Sequence, residues 1–343
     1  MYQRKSRQYC ALMLIVSVCL RVCMFLGLDD KLGRLASQIV QDPKTAEFLL
    51  FLETGQRVEL TPIEPEVVKM VVEQPQPKPV PVTVVKKSPT KTASAQQLQI
   101  VGACSYAYDK EALLQKQTSL DFSGEGPKVL IVHSHSTEAY TPSDGLEYES
   151  IPSYRTLDET RNVVAVGAVL AKALADQGVQ VLHDTSVNDY PNYNVSYWNT
   201  LQRIEQWKAE YPDIQLILDI HRDAVEDEDG HAVALLSTQN GARAAQLMLV
   251  VGTDEGGLEH PDWQENLANA LKLQSVLEGE YPGLCRKLDL RTERFNQHVA
   301  PGAMLIEVGT NGNSLTQAKA AAVLLADAVV RTIELMEESK QTS

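Results

Sequence analysis

Three apolar stretches of this chain end abruptly in histidine or glutamate. The stretches and the residues that follow them are Lys128–Val132 with His133, His135 and Glu138; Ile214–Ile220 with His221; and Ala303–Ile306 with Glu307. Short, continuous apolar runs are typical of strands buried on both faces. Because α/β enzymes carry their chemistry in the loops after such strands, these imidazole and carboxylate groups are expected to converge. The pattern predicts an α/β fold with a metal site at its strand ends.

Helical and strand patterns alternate through the rest of this region. In Thr160–Gln177, valine and leucine recur on one helical face, and Gly178 is suited to ending the helix. The other predicted elements are strands at Val179–Leu182, Ala232–Leu236, Leu247–Val251 and Ala303–Val308, and helices at Trp198–Ala209, Trp263–Leu277 and Leu315–Met336. Such alternation predicts a twisted, mostly parallel (mixed) sheet between helices, with Ile214–Ile220 as its central strand.

The first 28 residues differ in kind from the rest. Three basic residues precede an apolar stretch from about Tyr9 to Leu28, which as a helix would be about 30 Å long and would cross one bilayer core. Basic residues ahead of such a stretch predict a cytoplasmic tip, a single-pass membrane anchor and an extracytoplasmic remainder. A cleaved signal peptide is the alternative, with Ala11–Leu20 as its apolar region, although no small-x-small cleavage site follows directly.

The composition then divides the rest of the chain. Residues 29–61 form a juxtamembrane segment, residues 62–100 a proline-rich linker too polar to build a core, and residues 101–343 the catalytic domain. The formal net charge of −14 argues against a nucleic-acid partner, which requires a clustered basic face. Cys104 and Cys285 lie beyond the anchor, and both a disulfide and free thiols remain open.

The residues at the strand ends suggest individual roles. His135 and Glu138 lie three positions apart in one loop, with His133 as a neighbour of the same orientation. Asp219 or Asp223 would orient a metal-bound His221. Arg222 is expected to bind a substrate carboxylate. The alternative is that Arg222 forms a surface ion pair with Asp223.

Glu307 leaves an apolar strand and enters a glycine-rich turn. Burial there would raise the pKa of its carboxyl group and suit it to general acid and base chemistry. The structural alternative is a glutamate that caps the following helix.

Four segments together resemble the stage II sporulation protein P family of endospore-forming bacteria. They are HSHSTEAY, RNVVAVGAVLAKAL, LILDIHRDA and FNQHVAPGAMLIEVGTNGN, within Lys128 to Glu338. That family is similar to the zinc-dependent N-acetylmuramoyl-L-alanine amidases, whose fold is a twisted sheet between helices.

The resemblance implies a site and an activity. His135 and His221 would bind Zn²⁺ and Glu307 would be catalytic. The third ligand would be Glu138, or else Asp158 or Glu159, where the ligand glutamate of the general amidases would fall. Arg222, Asn296 and Gln297 would contact substrate.

The implied reaction is hydrolysis of the amide between muramic acid and the L-alanine of the stem peptide. The resemblance also implies endopeptidase activity on cross-links, a role in thinning septal peptidoglycan during engulfment, and partnership with stage II sporulation proteins D and M. Two alternatives are an inactive peptidoglycan-binding scaffold, which would be expected to lack part of the ligand set, and another extracytoplasmic metallohydrolase, which would draw on more aspartates.

Overall fold

The computed structural model describes residues 89–143, 145, 148, 154–239 and 241–341. The predicted membrane anchor, the juxtamembrane segment and most of the linker lie outside these residues. Within the described part of the chain, no helix is both long enough and apolar enough to cross a bilayer. The end of the predicted linker packs on the domain, since the Ala93 N–H donates to Ser275 O and Leu98 is 1% exposed. The packed region therefore begins before residue 101.

Nine strands are found among the described residues. They are β1 (Ile100–Val101), β2 (Val129–Val132), β3 (Val181–His183), β4 (Leu216–Asp223), β5 (Leu236–Gln239), β6 (Ala242–Ala245), β7 (Leu247–Gly252), β8 (Leu288–Arg291) and β9 (Gly302–Thr310). Seven form one sheet in the order β1-β8-β7-β9-β4-β2-β3, and β5 and β6 form a separate hairpin.

The described helices are α1 (Lys110–Gln115), α2 (Val163–Ala175), α3 (Ser196–Glu210), α4 (Trp263–Glu280) and α5 (Leu315–Gln341). The start of α2 is fixed by Asn162, whose side-chain oxygen accepts from Val164 N at 2.9 Å and so satisfies an N–H at the helix start. The sequence predicts helices α2 to α5 close to these bounds. It does not predict the short elements α1, β1 and β8.

The sheet is mixed and mostly parallel, as predicted. Strand β7 runs antiparallel to β9, and every other neighbouring pair in the sheet is parallel. The central position belongs to β9, with β4 beside it, so the prediction that Ile214–Ile220 is central is wrong by one strand. The predicted strand at Ala232–Leu236 is also wrong, because Val233 N bonds locally to Val225 O and only Leu236 enters β5.

The two faces of the sheet are covered unequally. On the first face, residues such as Ile131, Leu218 and Ile306 join the main core with apolar residues of α2, α4 and α5. On the second face, a smaller core that includes Leu130 and Ile204 of α3 covers the β2–β4 region. The second face also carries His221 and Glu307, which alternate along their strands with the residues of the first face.

Candidate metal centre

The loop after β2 is buried and held by Asp189. Ser136 Oγ donates to Asp189 Oδ1 at 3.0 Å, and Thr137 Oγ1 donates to Asp189 Oδ2 at 2.7 Å. Arg155 Nη1 donates to the same Oδ2 at 2.6 Å. These bonds fix the backbone that carries the two predicted ligands of this loop.

His135, Glu138 and His221 come together as a buried cluster whose candidate ligand atoms lie within 4.8 Å of one another. Glu138 lies between the two imidazoles. Its Oε1 is 3.5 Å from His135 Nδ1, and its Oε2 is 3.4 Å from His221 Nδ1. The imidazole rings cross at 80° with centroids 4.9 Å apart.

Asp219 supports His221 from its other side. Asp219 Oδ1 is 2.9 Å from His221 Nε2, an ion-pair contact that lacks the alignment of a good hydrogen bond. The same carboxylate accepts from Ser134 N at 2.8 Å and Ser134 Oγ at 2.5 Å, which holds it in place. Of the two aspartates that the sequence offered for this role, Asp219 takes it, whereas Asp223 pairs with Arg286 at 2.6 Å.

The electrostatics of the cluster favour a cation. Burial would raise the pKa of Glu138, but hydrogen bonds with His135 and His221 hold it well below its usual range. Burial would lower the pKa of His221, but the charges of Asp219 and Glu138 raise it well above its usual range. The cluster therefore keeps its carboxylates ionised and concentrates negative charge around two imidazoles.

Glu307 lies directly beside His221, because the two residues are paired in the β4–β9 register. Burial raises the pKa of Glu307 to about 8, against the opposing charge of His221 and with the added repulsion of Glu138. Its Oε2 is buried and has no hydrogen-bond partner among the described residues. A pKa close to neutrality suits a group that both accepts and donates a proton.

These donors fit a zinc ion. Two imidazoles and one carboxylate, with a further carboxylate behind one imidazole, form a donor set typical of hydrolytic zinc sites. Three protein ligands leave a coordination position for water or substrate. The polar Oε2 of Glu307, which is buried and has no partner within the described part of the chain, is the kind of group that such a site leaves for its reactants.

A cavity of about 340 Å³ opens over the cluster. His135, Glu138, His221 and Glu307 line it together with Tyr197. The Tyr193 ring stacks on His135 with centroids 4.5 Å apart, and the Tyr197 ring meets His135 edge-on at 5.3 Å.

Sequence reasoning missed three residues that contact the cluster, namely Arg155, Tyr193 and Tyr197. Arg155 donates to Glu138 Oε1 at 3.3 Å and lies 4.8 Å over the Tyr193 ring. The aromatic-rich segment YPNYNVSYW, with tyrosines four residues apart at Tyr193 and Tyr197, is a signal that could have found the tyrosines. No local signal marks Arg155.

The alternative third ligands lie elsewhere. Asp158 and Glu159 are exposed, and Asp158 Oδ1 accepts from Thr160 N at 2.9 Å at the turn before α2. Neither belongs to the cluster, which Glu138 completes instead.

The three predicted substrate contacts do not line the cavity. Arg222 is buried and donates to Ala139 O at 2.9 Å, which ties β4 to the loop after β2. Gln297 accepts from Gly252 N and donates to Val250 O, at 2.9 and 2.8 Å. Asn296 Nδ2 donates to Tyr197 O at 2.7 Å. These polar groups bond to backbone and so support the structure around the site, and their contact with substrate stays a prediction.

His133, Cys104 and Cys285, which the sequence also singled out, lie outside the metal-ligand cluster. His133 is fully buried, with Nδ1 2.9 Å from Ile220 O and Nε2 2.8 Å from His183 Nε2, so it supports the end of β4. Cys104 and Cys285 are both free thiols.

Solved structures of two amidases resemble part of this fold. The N-acetylmuramoyl-L-alanine amidase AmiC2 of Nostoc punctiforme is 14% identical, with a TM-score of 0.33, covering 62% of this chain and 99% of that one. The N-acetylmuramoyl-L-alanine amidase from Clostridium difficile 630 is 14% identical, with a TM-score of 0.34, covering 63% and 100%.

A curated relative and a family model are more informative. Stage II sporulation protein P of Bacillus subtilis (strain 168) is 29% identical over 224 residues, covering 62% of this chain and 53% of the relative. The chain thus spans about half the length of that relative. The family model for Stage II sporulation protein P (SpoIIP) matches residues 56–330, and the chain therefore belongs to that family.

Proposed function

We propose that the chain is a zinc-dependent peptidoglycan hydrolase that cleaves the amide between muramic acid and the L-alanine of the stem peptide. One observation carries the proposal: His135, Glu138 and His221 form a buried cluster within 4.8 Å, in one cavity with Glu307. Membership of the SpoIIP family supports a cell-wall substrate and a role in sporulation. An intact ligand set speaks against an inactive scaffold.

The residues divide the chemistry among them. A zinc ion held by His135, Glu138 and His221 would supply Lewis acidity to the amide carbonyl. Asp219 keeps the His221 ring in its orientation. Glu307 accepts the proton of the attacking water and returns it to the leaving amine nitrogen.

The proposal extends to the setting of the reaction. The apolar stretch that ends at Leu28 would anchor the chain, so that the domain acts outside the cell membrane on septal peptidoglycan during engulfment. Stage II sporulation proteins D and M are proposed as its partners, and cross-link endopeptidase activity as a second reaction.

Mass analysis of digested peptidoglycan tests the proposal. Detergent-solubilised full-length protein should release free stem peptides whose N-terminus is L-alanine, whereas endopeptidase activity would release shortened cross-link products. Glu307→Gln should lower the rate by roughly 10²–10⁴-fold, the usual contribution of a general acid–base group. Absence of free stem peptides would refute amidase activity, and products of deacetylation would favour another metallohydrolase.

A further inference from the structure

Tyr197 lies in the first turn of α3 and lines the cavity over the metal-ligand cluster. Its ring meets the His135 ring edge-on, with centroids 5.3 Å apart. The same ring lies nearly parallel to the His221 ring, at 13° with centroids 6.4 Å apart. One tyrosine therefore packs against both of the proposed histidine ligands.

The surrounding contacts hold Tyr197 in place. Its carbonyl oxygen accepts from Asn296 Nδ2 at 2.7 Å, and its ring packs against the Phe295 ring with centroids 5.7 Å apart. The first turn of α3 is also fixed, because Ser196 and Thr200 are buried and Thr200 Oγ1 donates to Ser196 O at 2.9 Å. A side chain that is held in this way from a helix can present a polar atom at a defined position.

The hydroxyl group of Tyr197 has no hydrogen-bond partner within the part of the chain that the structure describes. A phenol keeps its proton at neutral pH and can therefore donate a hydrogen bond. Since the ring lines the cavity, this donor is available to a molecule bound there.

The other side-chain donors in the cavity wall already have roles. Arg286 Nη1 lies 2.6 Å from Asp223 Oδ2. Arg291 Nη1 lies 3.6 Å from Asp289 Oδ2. The two histidines of the wall are the proposed zinc ligands. Among the described residues that line the cavity, Tyr197 is therefore the side-chain donor that has neither a carboxylate partner nor a ligand role.

The proposed reaction requires such a donor. As water attacks the amide, negative charge develops on its carbonyl oxygen, while the fixed groups nearby include the carboxylates of Glu138 and Glu307. A neutral donor held beside the cluster would bond to that oxygen more strongly as its charge grows. Interactions that strengthen in the transition state are the ones that raise the rate.

We propose that the Tyr197 hydroxyl is a catalytic hydrogen-bond donor, which binds the carbonyl oxygen of the scissile amide and stabilises the negative charge that develops on it. The inference rests on the proposed function and adds a residue to its chemistry. Tyr197 keeps its proton throughout, and Glu307 carries out the proton transfers.

Two tyrosine variants and two ligands test the inference. Tyr197→Phe removes the hydroxyl group and keeps the ring that packs on the histidines. Tyr190→Phe removes the same group from an exposed tyrosine outside the cavity and is the control. Calorimetry with zinc-loaded full-length protein in detergent measures binding of a muramoyl-peptide analogue, in which a tetrahedral phosphinate replaces the amide. The second ligand is the free stem peptide L-Ala–γ-D-Glu–L-Lys, which lacks that group.

The hydroxyl group should matter for the phosphinate alone. Tyr197→Phe should bind the phosphinate roughly 10–100-fold more weakly, the usual effect of losing a hydrogen bond to a charged group, and should bind the stem peptide within about twofold of the unsubstituted protein. Its kcat for release of stem peptides from peptidoglycan should fall roughly 10²–10³-fold, the usual cost of removing one such donor. Zinc content by mass spectrometry should not change, and Tyr190→Phe should match the unsubstituted protein throughout.

Unchanged affinity for the phosphinate in Tyr197→Phe would overturn the inference. Equal weakening of both ligands, loss of zinc or loss of the folded circular dichroism spectrum would also overturn it, because the hydroxyl group would then be structural. Normal release of stem peptides by both the unsubstituted protein and Tyr197→Phe would contradict only the role of Tyr197. Absent release by the unsubstituted protein would contradict the proposed function and this inference with it.

Discussion

Glu138 is the residue on which the metal centre depends most directly, because its two oxygens face the two imidazoles at 3.4 and 3.5 Å. Replacing it with alanine removes one of the three proposed ligands and leaves two histidines. We expect Glu138→Ala to weaken zinc binding by more than the roughly 10–100-fold typical of losing an outer partner. Zinc content by mass spectrometry after dialysis checks this. Asp158→Ala is the control and should retain zinc, and full zinc retention by Glu138→Ala would overturn the ligand assignment.

In the proposed zinc site, Asp219 would act on the metal only through His221. Asp219→Asn removes the negative charge that lies 2.9 Å from His221 Nε2 while keeping the shape of the side chain. Zinc affinity, measured by competition with a chromogenic chelator, should fall roughly 10–100-fold. Asp223 lies four residues further along β4 and pairs with Arg286 instead, so the zinc affinity of Asp223→Asn should stay within about twofold. Equal losses in the two variants would contradict the assigned role of Asp219.

At the scale of elements, α2 packs closely on a buried histidine pair through Gly167. A Cβ added there would lie 2.6 Å from His133 Nε2 and 2.7 Å from His183 Nε2, and these side chains are buried with little room to move. We expect Gly167→Ala to lower the free energy of unfolding by about 1–3 kcal/mol, the usual effect of overpacking. Urea denaturation measures it, and unchanged stability would show that α2 shifts freely on the sheet.

The same histidine pair predicts a pH dependence of stability. Burial, with a smaller contribution from His133, lowers the pKa of His183 to about 3, against about 6.5 in an unfolded chain. The unfolded state therefore binds more protons between these values, so stability is retained above pH 6.5 and lost as the pH falls towards 3. His183→Gln can still donate to His133 and should flatten this dependence. Denaturation at pH 7 and pH 5 compares the two proteins, and equal slopes would contradict the prediction.

Local sequence patterns predicted the strands that carry the site but not every strand or residue contact around it. The apolar runs before His135, His221 and Glu307 are signals contained in a few consecutive residues, and all three are strands. Short strands such as β8 carry little periodicity and were missed. The family resemblance implied that Gln297 contacts substrate, yet its side-chain amide bonds to the backbone of β7. Such pairings depend on tertiary contacts that no local pattern encodes.

For the whole molecule, the order of strands assembles the site. His221 and Glu307 are far apart in sequence, and only the pairing of β4 with β9 makes them neighbours. The pairing of β9 with β7, β7 with β8 and β8 with β1 continues the same sheet face along the cavity. The sequence predicted a mixed sheet but not this order, because strand order depends on long-range pairing.

The most direct test of the account is the rate of stem-peptide release by the full-length protein during removal and return of zinc. We expect chelation to abolish release and about one equivalent of zinc per chain to restore it, whereas a His135→Ala protein should not be restored. Undiminished release from protein whose zinc content has been measured as negligible would contradict it.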